Sequence, residues 1–258
     1  METKPEVELQ FGNLEMLFVE KPFDEAKAAI EAANGKIATA QQVAQARMVG
    51  GKEHHVSQYG SYVAENGIYN PKKPTEILVT PSELSPILKH AFEATEAHRN
   101  DKEYFISKED LADIIEEAKE GKVYTFLEKN NEYDIPVSKF ANNGLAKFLF
   151  KEDTQKYAEF LQEAGITEVL VWLVGSNYVK KQKAPFARPL WFLILDGRSV
   201  LDGYGRDLGY GGGARGVRVT SGASTHPYVK LAEEFGVKSE KELKSVHELY
   251  KQAKKIVT

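Results

Sequence analysis

Two nearly continuous apolar runs lie close together in the chain and constrain its fold more than any other feature. They span Glu168 to Val174 and Pro189 to Leu195, and a short basic loop separates them. Apolar runs of this length predict strands that are buried on both faces. A chain of 258 residues can supply the elements that cover such a sheet, in one large domain or two modest ones.

Segments with helical periodicity and capping residues alternate with these strand patterns, which favours an α+β fold over a doubly wound parallel sheet. The predicted helices are one that Asp24 caps and Gly35 ends, one over Thr39 to Val49, one that opens at Ser85-Pro86, one that Ser107 caps, one over the stripe Tyr157 to Ala164, and two over Pro227 to Phe235 and Ser239 to Val257. The pair Asn66-Gly67 predicts a hairpin turn, and Thr75 to Thr80 predicts a strand.

Composition excludes several classes of function. The net charge of −4 gives no global basic field, so we expect no nucleic-acid partner. The chain has no cysteine, which excludes disulfides, thiolate metal sites and a cysteine nucleophile. Neither a signal peptide nor a run approaching the ~20 apolar residues of a membrane span is recognised. The location of the protein stays open.

The histidines and acidic residues offer only weak metal-site patterns. His90 and His98 flank Glu93 and Glu96 on a predicted helix. An eight-residue spacing places the two imidazoles ~12 Å apart along a helix, too far for one ion. We therefore expect solvated helix faces and no metal.

A glycine-rich stretch, DGYGRDLGYGGGARGVR, follows the second apolar run. Eight of the 20 glycines lie between Gly197 and Gly216. Glycines let backbone N–H groups approach a phosphate, so a phosphate- or nucleotide-binding enzyme is one alternative. However, Gly203, Gly205 and Gly209 are spaced one residue too long for the dinucleotide motif. A structural α+β protein with an ordinary long loop is another alternative.

The region from Ala184 to Val219 has an unusual composition. The chain holds 27 lysines and 29 glutamates, but this region has neither, and it also lacks Gln, Asn and Met. Residue types that are frequent in this region, such as Gly, Asp and Tyr, have codons that arise from AAC or AAT when only the adenines change. Lys, Glu, Gln and Met are not reachable in this way. The pattern is typical of adenine-directed mutagenesis confined to one cassette.

The stretch RPLWFLILDGRSVLDGYGRDLGYGGGARGVR resembles the variable region of a diversity-generating retroelement target protein of the archaeal or archaeal-virus type. The resemblance covers residues of about 188 to 219. It implies an α+β, C-type-lectin-like domain with a mixed or antiparallel sheet and additional flanking helices. We expect this domain over residues 1–222 and a C-terminal helical extension over 223–258.

The resemblance also divides the region into fixed and diversified positions. The positions that look like an invariant framework are Trp191, Phe192, Leu195, Ser199, Leu201, Gly203, Arg206, Leu208, Arg215, Gly216 and Val217. The expected ligand-binding, variable positions are Leu193, Ile194, Asp196, Gly197, Val200, Asp202, Tyr204, Gly205, Asp207, Gly209, Tyr210, Gly211 and Gly212. Variable side chains should face solvent, because a buried position does not tolerate arbitrary substitution.

The function that the resemblance implies is ligand binding without catalysis. The ligand would be a protein or a glycan, bound through the variable residues, and assembly into a homo-oligomer stays open. No cofactor is implied, and the carbohydrate-type calcium motifs E-P-N, Q-P-D and W-N-D are absent from the sequence. We expect Arg206 and Arg215 to hold loop carbonyls by charge-assisted hydrogen bonds.

Overall fold

The computed structural model describes residues 4–127, 132–196, 199–205, 207–210 and 212–220. The described residues of 4–11 and 15–218 form one compact unit. This unit contains the elements discussed below, apart from the terminal residues Leu14 and Val219 of two strands. The two helices predicted over 227–235 and 239–257 lie outside the described residues.

Strands and helices alternate along the described chain. The strands are β1 (Glu6–Phe11), β2 (Leu14–Val19), β3 (Lys36–Ile37), β4 (Ser61–Tyr69), β5 (Glu76–Thr80), β6 (Tyr104–Phe105), β7 (Tyr124–Leu127), β8 (Glu132–Pro136), β9 (Glu168–Trp172), β10 (Phe186–Phe192), β11 (Ser199–Asp202) and β12 (Ala214–Val219). The α-helices are α1 (Phe23–Ala32), α2 (Ala40–Gly50), α3 (His55–Gln58), α4 (Pro86–Lys89), α5 (Ala91–Arg99), α6 (Lys108–Lys119), α7 (Val137–Phe140), α8 (Gly144–Phe150), α9 (Thr154–Glu163) and α10 (Ser176–Val179).

The sheet is mixed. Its main path runs β1-β2-β12-β4-β10-β11-β9-β8, while β3, β5, β6 and β7 pair beside this path. Strand β11 is parallel to β9, and β12 is parallel to β4. The pairs of β10 with β4 and with β11 are antiparallel. Helices combined with a mixed sheet make this an α+β fold, as predicted.

Both faces of the central strands are covered. Successive side chains of a strand point to opposite faces. Trp191 accordingly packs against a cluster that contains Phe23 and Leu208, whereas the ring of the adjacent Phe192 contacts the rings of Phe150 and Tyr157 at an angle. This two-sided burial explains why the sequence of β10 is almost continuously apolar rather than alternating.

Most of the predicted helix starts are confirmed. Thr39 caps α2 through a reciprocal pair with Gln42, and the hydroxyl of Ser107 accepts a hydrogen bond from Asp110 N at the start of α6. The predicted N-cap of the first helix is wrong: α1 already begins at Phe23, so Asp24 lies inside it, and Pro22 at the cap position makes no side-chain hydrogen bond.

The predicted hairpin turn at Asn66-Gly67 is also wrong. Both residues lie within the nine-residue strand β4, where Asn66 pairs with Thr80 on one side and with Pro189 on the other. The Asn66 side chain is buried and accepts hydrogen bonds from Ser85 Oγ and Ile87 N. The pair is therefore a strand interior whose polar group is satisfied internally, not a turn.

Candidate functional site

One row of side chains crosses the centre of the sheet at the candidate site. Tyr62 of β4 lies opposite Trp191 of β10, and Trp191 lies opposite Asp202 of β11. The row continues to Ala214 of β12 beyond Tyr62 and to Trp172 of β9 beyond Asp202. Residues that are directly opposite each other in neighbouring strands share a face of the sheet. The strand register therefore brings the Tyr62, Trp191 and Asp202 side chains together.

A cleft of about 300 Å³ opens over this row. Its volume is at the lower end of the range for small-ligand pockets. Its described wall consists of Tyr62, Pro189, Trp191, Leu193, Asp202, Gly205, Asp207 and Gly212. Five of these eight residues are among the positions that the sequence predicts to vary. The cleft thus combines an aromatic floor with a rim that the segment of predicted variable positions supplies.

The aromatic floor is formed by Tyr62 and Trp191, whose rings meet edge to face with centroids 4.5 Å apart. Tyr62 is 2% exposed, and its hydroxyl has no hydrogen-bond partner among the described residues. The Tyr62 hydroxyl oxygen is 3.7 Å from the point where a Cβ on Gly212 would lie, which places it at the cleft wall. Burial, together with the Asp207 and Asp202 charges, raises the pKa of Tyr62, so its phenol stays neutral.

Two carboxylates lie beside Gly205 at the rim. Oδ2 of Asp207 and Oδ2 of Asp202 lie 2.8 Å and 3.8 Å from the point where a Cβ on Gly205 would lie. Asp202 is half-buried, and its Oδ1 accepts a hydrogen bond of 2.6 Å from Tyr204 N. Burial raises the pKa of Asp202, and the neighbouring Asp207 carboxylate adds to this effect. The rim therefore carries two acidic side chains that lie close enough for their charges to interact.

Behind the rim, a buried ion pair fixes the loop that follows β11. Arg188 Nη2 is 2.5 Å from Glu103 Oε1, and Arg188 Nε donates to Glu103 Oε2 at 3.1 Å. The same guanidinium donates to the carbonyl oxygen of Tyr204. Because both Arg188 and Glu103 are buried, the pair holds the loop in a defined position at the cleft.

The predicted framework positions are almost all buried. The buried ones are Phe192, Leu195, Ser199, Leu201, Gly203, Leu208, Arg215, Gly216 and Val217. Trp191 is half-buried because part of its ring faces the cleft. Gly216 lies against Ile30 so closely that a Cβ there would be 2.3 Å from Ile30 Cγ2, so only glycine fits. Arg206 lies outside the described residues.

Arg215 acts as the sequence predicts for it. Its Nη1 donates hydrogen bonds to the carbonyl oxygens of Tyr59, at 2.9 Å, and Gly60, at 3.2 Å. The guanidinium is fully buried, and Glu8 neutralises it at 2.7 and 2.8 Å. This network connects β12 to the segment that leads into β4.

The positions predicted to vary are mostly accessible. The exposed ones are Asp196, Tyr204, Asp207, Tyr210 and Gly212, and the half-buried ones are Leu193, Ile194, Asp202, Gly205 and Gly209. Tyr204 and Tyr210 are 58% and 61% exposed, which is unusual for large aromatic side chains. Gly197 and Gly211 lie outside the described residues.

Two of these positions do not fit a solvent-facing role. The Val200 side chain is only 4% exposed, because both faces of β11 are covered. At Gly209, a Cβ would lie 2.9 Å from Arg99 Cα and 3.0 Å from Arg99 N, so the backbone of α5 leaves no room for a side chain. The expectation of a freely variable, exposed side chain is therefore wrong at Val200 and Gly209.

Arg47 holds the backbone beside the cleft, a role that the sequence does not indicate. It is fully buried in α2, and its Nη2 donates to the carbonyl oxygens of Leu193, at 2.6 Å, and Phe192, at 3.4 Å. Its guanidinium also lies 4.1 Å from the centre of the Phe192 ring. In the sequence, Arg47 is one polar residue of a helical pattern, and nothing there indicates its burial.

The glycine-rich stretch has neither the geometry nor the charge of a phosphate loop. Between Gly203 and Gly213 the described residues form no helix, and the next element is the strand β12. A phosphate loop requires a helix whose N-terminus meets the anion. Two carboxylates lie here instead. Among the described residues, no group of three or more His, Asp or Glu side chains is arranged to hold a metal ion.

None of the described helices combines the length and the hydrophobicity that a membrane-spanning helix needs.

Comparison with known proteins bears on the fold. No protein-family model matches the chain, and no curated protein matches it. A solved structure described as "Accommodation of massive sequence variation in Nanoarchaeota by the C-type lectin fold" matches 80% of this chain and 97% of its own length. The TM-score is 0.56 at 14% sequence identity, so the likeness concerns the fold alone. The fold predicted from the sequence is confirmed: this chain adopts the C-type lectin fold.

Proposed function

We propose that this protein binds a protein or glycan ligand without catalysis, through the face that surrounds the cleft. We call this the display face. It consists of the exposed and half-buried residues Leu193, Ile194, Asp196, Asp202, Tyr204, Gly205, Asp207, Tyr210 and Gly212. The face is concave at the cleft and carries two exposed tyrosines beside it.

One observation carries the proposal. Within a single short segment, the positions predicted as framework are almost all buried, and the positions predicted to vary are mostly accessible. Phe192, Leu195, Leu201 and Leu208 are at most 3% exposed, whereas Asp196, Tyr204 and Asp207 among them are exposed. Burial of an apolar side chain contributes about 1.5–3 kcal/mol, and the cost of changing it is correspondingly high. Exposed side chains can change without such a cost. The segment has the arrangement that a tolerant binding surface needs.

The exposed residue types also suit recognition. Tyr204 and Tyr210 supply large contact areas with few rotatable bonds, and Asp196 and Asp207 supply directed polar contacts. Exposed aromatic residues are enriched at protein interfaces and are uncommon elsewhere on the surface.

We further propose that the display face is diversified by an adenine-directed retroelement. The support is the absence of Lys, Glu, Gln, Asn and Met from residues 184–219, although Lys and Glu are abundant in the rest of the chain. The matching solved structure is described as accommodating massive sequence variation on the C-type lectin fold. Diversification of this chain is our inference from its own composition and from the accessibility of the positions concerned.

A sixfold variant tests the binding-surface proposal. It carries Asp196→Ser, Asp202→Asn, Tyr204→Ser, Gly205→Ser, Asp207→Ser and Tyr210→Ser, and its matched control is Leu208→Ala alone. We expect the sixfold variant to unfold within about 1 kcal/mol of wild type, and Leu208→Ala to cost about 2–5 kcal/mol. Thermal and urea unfolding measure both. Collapse of the sixfold variant alone would show that these residues are structural.

Sequencing the gene across a population of its source cells tests the diversification proposal. We expect differences that concentrate in the codons of the display face and leave those of Phe192, Leu201 and Leu208 unchanged. Differences spread evenly over all 258 codons would contradict it.

A further inference from the structure

The cleft in the display face has the chemistry of a site for an organic cation. Its only charged lining residues among those described are Asp202 and Asp207, and none of the lining residues is basic. The buried guanidinium of Arg188, behind the rim, is already neutralised by Glu103 and is bound to a carbonyl oxygen. Among the described lining residues, the two carboxylates of the rim therefore have no compensating cation.

A second observation, independent of the carboxylates, points to a ligand. The Tyr62 hydroxyl is buried at the cleft wall and has no hydrogen-bond partner among the described residues. Leaving a buried hydroxyl unsatisfied costs about 1–3 kcal/mol, so such groups usually have a partner. A ligand that enters the cleft with N–H donors would supply one to the hydroxyl oxygen of Tyr62.

The floor of the cleft favours an organic cation over a metal ion. The Tyr62 and Trp191 rings form it, and Pro189 and Leu193 add apolar surface beside them. Gly212 lies over the benzo ring of Trp191, with its virtual Cβ 3.0 Å from Cη2, so no side chain covers the ring there. Cations bind aromatic rings of this kind. Calcium, by contrast, takes six to eight oxygen ligands, and two carboxylates and one phenol do not supply them.

We propose that the cleft binds an arginine side chain that a protein partner presents. A guanidinium matches all three features: it stacks on an aromatic ring, it pairs with two carboxylates through its fork of N–H groups, and it has a further donor for Tyr62. The apolar stem of arginine would lie along Pro189 and Leu193. This inference rests on the proposed function, because it specifies what the display face of this copy of the protein recognises.

The experiment uses the full chain and three capped tripeptides, Gly-Arg-Gly, Gly-citrulline-Gly and Gly-Glu-Gly, with glucosamine as the cation of a glycan. Citrulline keeps the shape of arginine but removes its charge. Titration calorimetry or ligand-observed NMR measures the affinities. We expect the arginine peptide to bind at least about tenfold more tightly than the citrulline peptide and the glutamate peptide not to bind. Equal binding of arginine and citrulline, or tighter binding of glucosamine, would overturn the proposal.

Charge-removing variants locate the site. Asp207→Asn and Asp202→Asn preserve side-chain shape and should each weaken binding of the arginine peptide about fivefold or more, and Tyr62→Phe should weaken it severalfold. Glu116→Gln removes an exposed carboxylate of α6, outside the display face, and should leave affinity unchanged. If Asp207→Asn and Asp202→Asn bind the peptide as wild type does, the cleft is not the site and the proposal fails.

Two further variants separate this proposal from other outcomes. Arg206→Ala should bind the arginine peptide with wild-type affinity; an increase of tenfold or more would mean that the chain's own arginine fills the cleft, which would overturn the proposal. If the sixfold variant stays folded but wild type shows no preference for arginine, the arginine site fails while the display face stands. If the sixfold variant unfolds, the display face itself fails.

Discussion

Arg47 Nη2 donates a 2.6 Å hydrogen bond to the carbonyl oxygen of Leu193, joining the buried face of α2 to the first residue of the display face. Arg47 Nε donates to Val56 O at 3.2 Å, and its Nη1 donates to the Tyr157 hydroxyl at 3.4 Å. One fully buried guanidinium therefore ties three helices, α2, α3 and α9, to the end of β10. The backbone at the start of the display face is held by a residue 146 positions earlier in the chain.

The first prediction concerns this guanidinium. Arg47→Lys keeps the charge but loses the planar fork that reaches several acceptors at once, so buried carbonyls are left unsatisfied. We expect the free energy of unfolding to fall by about 2–4 kcal/mol, measured by urea denaturation. Arg99→Lys, at a surface ion pair with Glu96, is the matched control and should leave stability unchanged. Equal effects of the two changes would contradict the role assigned to Arg47.

The second prediction separates two glycines of the same segment. A methyl group on Gly209 meets the backbone of Arg99, which cannot move aside, whereas one on Gly205 meets only the carboxylate end of Asp207, which can rotate. We expect Gly209→Ala to cost about 1–3 kcal/mol and Gly205→Ala to cost less than about 1 kcal/mol. Thermal unfolding of both variants measures the difference. A well-tolerated Gly209→Ala would return Gly209 to the freely variable positions.

The third prediction concerns Val200. Because its side chain is buried between covered faces of β11, Val200→Asp places an unpaired carboxylate in the core. We expect it to lower the free energy of unfolding by more than about 3 kcal/mol or to prevent folding. The same change at the exposed Tyr204 should have little effect on circular dichroism melts. Comparable melting of the two variants would show that position 200 tolerates diversification after all.

The sequence predicted the fold class because apolar runs leave a local trace of two-sided burial. The division between framework and variable positions stays a prediction, which rests on the residue types that are missing from residues 184–219. Capping pairs such as Ser107 with Asp110 are likewise local and were confirmed. In contrast, Val200 could not be assigned by alternation, since Ser199, Val200 and Leu201 are all buried.

Long-range relationships were beyond sequence reasoning. The clash that restricts Gly209 comes from Arg99 on α5, and the floor of the cleft pairs Trp191 with Tyr62 through the register of β4 and β10. No local pattern encodes that register. The hairpin turn predicted at Asn66-Gly67 is wrong for a related reason. The turn preference of this pair is overridden because β4 pairs with strands on both sides.

Glu65 lies outside the display face and makes the stability of the protein depend on pH. It is buried in β4, where its Oε2 accepts a hydrogen bond of 3.0 Å from Ala40 N at the first turn of α2. Burial raises the pKa of Glu65 to about 7, compared with 4.5 when unperturbed. The folded state therefore binds this proton more tightly than the unfolded chain. The resulting stabilisation is complete below pH 4.5 and is lost as the pH rises through 7.

The fourth prediction follows from this loss of stability with rising pH. Glu65→Gln keeps an oxygen acceptor for Ala40 N and cannot become charged, so it should exceed wild type in stability at pH 8 by on the order of 2–3 kcal/mol. At pH 4.5 the two proteins should have nearly equal stability. Urea denaturation at pH 4.5, 6 and 8 measures the difference, with Glu31→Gln on the exposed side of α1 as the matched control that keeps the wild-type pH dependence. A constant offset between Glu65→Gln and wild type over this range would mean that Glu65 does not titrate there.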